Sequence, residues 1–84
     1  MSAYSYALSE EAVDAFAHLP APARRRLLTL FDRLARNPTQ PGDFSEIGAA
    51  GRTYEMRLAD PVMLTWWADH AEREVRIIRI ESIG

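Results

Sequence analysis

His70 is the side chain in this sequence best suited by intrinsic pKa to move protons near neutrality. It lies in the run Asp69-His70-Ala71-Glu72-Arg73, which reads as a hairpin loop, so a solvated turn histidine is the other reading. Arg52 and Arg57 flank the stretch Thr53-Tyr54-Glu55-Met56. A guanidinium matches phosphate or carboxylate oxygens in a fork and stays protonated, so these two residues can stabilise an anion but cannot serve as acid or base. Arg24, Arg25 and Arg26 crowd the start of a predicted helix, where positive charge opposes the helix dipole by about 0.3–1 kcal/mol per exposed residue. A partner offering carboxylates or phosphates would offset that cost; a solvated face continuing to Arg33 and Arg36 is the alternative. Trp66 and Trp67 are adjacent on a predicted strand and must face opposite sides. One packs in the core. The other, taken as Trp67, is free to stack a planar group or to join a small cluster with Tyr54 or Phe44. His18 reads as a structural residue at a helix end. Asp60, Asp69, Glu72 and His70 match no familiar ligand spacing, so no metal and no cofactor are expected.

The elements that hold these residues are legible in outline. Tyr4 to Leu8 alternates and reads as a strand. Ser9 is placed as an N-cap, with Glu10 and Glu11 in the first turn and Val13, Phe16 and Ala17 as an apolar stripe, which predicts a helix to about His18. Pro20-Ala21-Pro22 breaks it. Leu27, Leu30, Phe31 and Leu34 recur at helical spacing, widened by Leu28 and Ala35, until Asn37-Pro38 ends a second helix. Thr39 to Gly51 reads as a loop, with Phe44 and Ile47 as anchors onto the core. Strands are predicted over Arg52 to Leu58, Val62 to Ala68 and Glu74 to Ile83. In the first of these Tyr54, Met56 and Leu58 face one way, and Thr53, Glu55 and Arg57 the other. The pair Ile77-Ile78 breaks the alternation of the last strand and suggests a bulge. The expected order is β-α-α-β-β-β, an α+β fold with a helical hairpin packed on an antiparallel sheet.

Composition narrows the function classes. At 84 residues the chain fits one domain spanning 1–84. It contains no cysteine, which removes disulfides and thiolate metal sites and suits the reducing cytoplasm. No apolar run reaches the ~20 residues of a membrane helix, so no membrane partner is expected. Met1 to Tyr6 carries no basic residue and no long apolar stretch, unlike a signal peptide. All ten basic residues are arginine, yet the net charge is −2 and the pI about 5.6. That balance argues against a broad phosphate-binding surface.

The order of elements, the Leu19-Pro20 break, the arginine-rich second helix ending Leu34-Ala35-Arg36-Asn37-Pro38 and the stretches Gly51-Arg52-Thr53-Tyr54-Glu55-Met56-Arg57-Leu58, Leu64-Thr65-Trp66-Trp67 and Glu74-Val75-Arg76-Ile77-Ile78-Arg79-Ile80 together resemble the RelE/ParE superfamily of toxin–antitoxin toxins. The resemblance covers nearly the whole chain. It implies a cognate antitoxin that wraps around the protein. On the RelE branch it implies a ribosome-dependent, metal-independent mRNA endonuclease, with ribosome and mRNA as partners. On the ParE branch it implies a non-enzymatic protein that inhibits DNA gyrase. Arg57 falls where RelE-type enzymes commonly carry a basic residue, and Arg52 lies near a second such place. With His70 they form the candidate catalytic set, while Arg24, Arg25, Arg26 and Trp67 form the candidate partner-binding set. The stretch Pro61-Val62-Met63 has Met63 where relatives often carry an arginine, and the sequence ends at Gly84, about where nuclease members continue into a basic, tyrosine-bearing tail. These departures predict a weak or inactive ribonuclease.

Overall fold

The computed structural model describes residues 3–83. Met1, Ser2 and Gly84, on which the expectations about a leader and a tail partly bear, lie outside the described residues. The elements are β1 (Ser5–Leu8), α1 (Glu10–Ala17), α2 (Ala21–Arg36), β2 (Phe44–Ile47), β3 (Thr53–Ala59), β4 (Val62–Asp69) and β5 (Glu74–Ser82). The strands form one sheet in the order β1-β5-β4-β3-β2. Strands β2 to β5 run antiparallel to their neighbours, whereas β1 joins β5 in parallel.

The α+β plan of two helices on a sheet is therefore as expected, with two differences. The sheet is mixed, because the helices carry the chain from β1 over the sheet, and the meander then ends on a strand running the same way as β1. The segment from Thr39 to Gly51 is also more than a loop. Its residues Phe44 to Ile47 pair with Thr53 to Met56 as an edge strand. Four residues between Gly42 and Gly48 carry too short a pattern to announce a strand, and only pairing with β3 defines it. Gly42 lies so close to the backbone of Met56 that a Cβ would not fit. Gly51, at φ +76°, makes the turn back into β3.

Helix α1 starts where the sequence indicated. The Ser9 hydroxyl accepts the amide of Ala12 at 3.1 Å and donates to the carbonyl of Ile78 at 2.9 Å. Ile78 is the extra residue of a bulge, since Thr65 pairs with Arg79 and Trp66 with Ile77. One side chain thus caps the helix and satisfies a carbonyl that the bulge takes out of the ladder. The apolar stripe of α1 is rotated from the expected one: Ala12 is buried, Phe16 is half-buried, Val13 is 53% exposed and Ala17 is exposed. In α2 the expected phase holds, and Leu27, Leu30, Phe31 and Leu34 are buried, while Leu28 is exposed. They pack with Val62, Leu64, Trp66, Val75, Ile77 and Ile80 from the sheet. Phe31 is the hub of the aromatic contacts, 5.3 Å from the ring of Tyr6 and 6.1 Å from that of Phe16.

Candidate functional site

The pairing register sorts the sheet residues by face, because directly paired residues project to the same side. One row crosses the whole sheet on the helix side: Ser45, Glu55, Trp66, Ile77 and Leu8. It is polar on β2 and β3 and apolar from β4 onward. A second row on the opposite face runs Phe44, Met56, Thr65, Arg79, and a third Leu58, Met63, Glu81. Here the polarity is reversed. Strands β4 and β5 turn Val62, Leu64, Trp66, Val75, Ile77 and Ile80 to the helices, whereas Tyr54, Met56 and Leu58 of β3 and Phe44 of β2 face away; Ile47, paired with Thr53, is on the helix-side face but beyond the helices. Phe44 and Ile47, expected as core anchors, are accordingly 50% and 76% exposed. The helices rest mainly on β1 and β5 and reach β3 only at Ala59, so apolar residues elsewhere on β2 and β3 gain little by facing them.

The bare face, with no helix over it, carries a preorganised cationic cluster. Trp67 pairs with Arg76. The guanidinium of Arg52 lies over the Trp67 ring at 3.7 Å from its centroid, and that of Arg76 stands at 5.7 Å. Such stacking holds a guanidinium in place while leaving its edge for an anion. Arg76 is itself anchored by Asp69 at 3.1 Å and Glu74 at 3.3 Å. The Asp69 carboxyl lies below its ordinary pKa, chiefly because the backbone N–H of Glu72 donates to it at 3.1 Å; the hydrogen bond and charge of Arg76 add to this, against a desolvation effect of opposite sign. Thr65, in the Phe44–Arg79 row, is buried, and its hydroxyl has no partner among the described residues.

Arg52, Trp67 and His70 also line a groove of about 490 Å³, whose other walls include Pro38, Thr39, Gln40, Thr53 and Glu55. The groove is kept open by local pairing. Gln40 donates to the carbonyls of Arg33 and Asn37 at the end of α2, and Glu55 accepts from the Gly42 amide and the Ser45 hydroxyl, each at 2.9 Å. His70 is not a bare turn residue: its Nδ1 is 2.6 Å from the Tyr4 hydroxyl, and its Nε2 has no hydrogen-bond partner among the described residues.

The structure thus brings Arg52, His70 and Trp67 together. Arg57 is elsewhere. It pairs with Leu64 on the helix-side face, is half-buried, and forms no ion pair among the described residues. Of the three arginines at the start of α2, Arg24 is half-buried and donates to the carbonyl of Leu19, whereas Arg25 and Arg26 are exposed. Sequence reasoning passed over Arg76 and Arg79. The signal was present in the bulge at Ile77-Ile78, which sets the register that puts Arg76 beside Trp67 and Arg79 beside Thr65. No group of three or more His, Cys, Asp or Glu side chains among the described residues is placed to hold a metal. No helix among them is long and apolar enough to cross a membrane.

This arrangement of two helices on a five-stranded mixed sheet is the fold of the RelE/ParE toxins. The chain superposes on the RelE–RelB complex structure from Pyrococcus horikoshii OT3 with a TM-score of 0.78 at 19% identity, covering 100% of this chain and 98% of that one. The RelBE2 toxin–antitoxin complex of Mycobacterium tuberculosis gives a TM-score of 0.75 at 18% identity, covering 96% and 99% of the two chains. The YoeB/ParE toxin of Agrobacterium tumefaciens gives 0.71 at 10%, covering 95% and 99%. No protein-family profile and no curated protein sequence matches the chain.

Proposed function

We propose that the chain is the toxin of a type II toxin–antitoxin pair, held silent in the cytoplasm by a cognate antitoxin, and that it cleaves ribosome-bound mRNA weakly or not at all. The observation that carries the first part is the toxin fold, matched end to end by chains that were crystallised with antitoxins. The bare sheet face supports it, since its exposed Phe44 and Leu58 are the kind of surface a wrapping partner covers.

The second part rests on the chemistry of cleavage by a 2′-hydroxyl. That reaction needs a base, a stabiliser for the charged phosphorus centre and an acid for the leaving oxygen. Arg52, steadied on Trp67, suits the stabilising role. His70, steadied by Tyr4, suits proton transfer through Nε2. Arg57, farther along the same face of β3, does not line the groove and adds nothing to that pair, and Met63 contributes no charge beside them. One cation and one imidazole leave either the base or the acid to be supplied by the ribosome. The separation of Arg52 from Arg57 also favours a second reading, in which the protein acts by binding alone, as a ParE-like inhibitor of DNA gyrase.

The test is mRNA cleavage on programmed ribosomes by the wild type and by Arg52→Ala, Arg57→Ala and His70→Ala. The expected result is slow cutting that His70→Ala lowers by a further ~10²–10⁴-fold and Arg57→Ala leaves unchanged. Rapid cutting that none of the three substitutions affects would overturn the reading. No cutting, with supercoiling by gyrase inhibited, would select the second one.

A further inference from the structure

We propose that a hollow between α2 and the β3–β4 turn is the anchor socket for an acidic segment of the antitoxin, and that it takes one large apolar side chain from that segment. The proposal rests on the toxin–antitoxin reading and adds the place and the chemistry of one contact. The hollow measures about 210 Å³; apolar cavities of about 150 Å³ already accept a benzene ring, so a Leu, Met or Phe side chain fits. Its floor is Leu27 and Leu30, buried core residues of α2. Its size comes from two small residues, Ala23 on the helix and Ala59 at the end of β3. Larger side chains at either place would close it. A sequence shaped only for folding would gain from doing so, because an unfilled apolar hollow forfeits contacts on its lining atoms.

The rim specifies what surrounds the anchor. Arg26 stands on one side and Asp60 on the other, and they form no ion pair with each other among the described residues. The occupant is therefore polarised: a carboxylate next to the anchor on the Arg26 side, and a donor, either a backbone N–H or a basic side chain, on the Asp60 side. Arg24 takes no part, since its guanidinium is spent on the carbonyl of Leu19. An apolar anchor in a dry pocket with charges at its rim is the usual form of an energetic centre in a protein interface.

The experiment uses the purified product of the reading frame adjacent to this gene and measures its affinity for the whole protein by calorimetry at two salt concentrations. Ala23→Leu fills the socket with apolar atoms and should leave the thermal midpoint equal or higher. It should raise Kd by about tenfold or more, as when an anchor is shut out. Arg26→Glu should weaken binding by about fivefold and flatten its salt dependence. A wild-type complex whose affinity is unchanged by Ala23→Leu would overturn the socket and leave the toxin–antitoxin reading standing. Failure of the wild type to bind at all would overturn that reading and the socket with it. A concentration-dependent dimer of the protein alone, abolished by Ala23→Leu, would mean that a second copy fills the hollow, and would also overturn the proposal.

Discussion

Phe31 and Phe44 are the same side chain in two halves of one sheet. Phe31 is fully buried between α2 and the strands β1, β4 and β5, with Tyr6 and Phe16 against its ring. Phe44 lies on the edge strand β2, half exposed on the face that no helix covers. The difference follows from where the helices end. Under them, apolar residues point toward α1 and α2. Beyond them, Tyr54, Met56 and Leu58 of β3 and Phe44 of β2 point to the bare side. The covered half is built for stability. The bare half keeps Phe44, Met56 and Leu58 on the same face as the Arg52–Trp67–Arg76 cluster, where they add little to the core.

Substitutions in each half test this contrast. Phe31→Ala should cost about 3–5 kcal/mol in denaturant unfolding, enough to unfold much of so small a domain. A loss below 1 kcal/mol, on the order of a surface substitution, would contradict the packing described for the covered half. Ser9→Ala removes the cap of α1 and the hydrogen bond to the bulge carbonyl, and should cost about 0.5–2 kcal/mol. Phe44→Ala and Leu58→Ala should each change stability by no more than about 0.5 kcal/mol, as exposed sites do. A cost as large as that of Phe31→Ala would show that the outer strands own a core of their own.

A smaller effect concerns acid. The folded-state pKa of Asp69 is lowered, so the folded protein binds fewer protons at this site than the unfolded chain. Its contribution is present in full above the ordinary carboxylate value of 3.8 and is lost as pH falls below that value through the folded pKa. Asp69→Asn should therefore be less stable than wild type at neutral pH, with the gap narrowing in acid. A gap that widens in acid would have the wrong sign. Because Asp69 holds Arg76 beside Trp67, the same variant should shift the Trp67 emission.

These comparisons also mark what the sequence made legible. The helix period of Leu27, Leu30, Phe31 and Leu34, the Ser9 cap and the broken alternation at Ile77-Ile78 each reflect a local rule, and the structure agrees with each. Strand β2 was not legible, because its four residues become a strand only by pairing with β3. The parallel placement of β1 was hidden for the same reason, since a strand carries no mark of the direction of its neighbour. The rotation of α1 was missed because Val13 looked like a core residue, whereas the small Ala12 is what fits against the sheet. In the candidate site, types were readable and faces were not. Arg52 and Arg57 looked like a pair; the register puts Arg57 beside Leu64, and Arg52 on Trp67.

Growth on induced expression in a bacterial host, with and without the adjacent reading frame, tests the toxin assignment most directly. The wild-type chain alone should arrest or slow growth, and co-expression of the neighbouring product should restore it. Unimpaired growth at a high level of soluble, folded protein, together with no complex between the two products, would contradict the assignment.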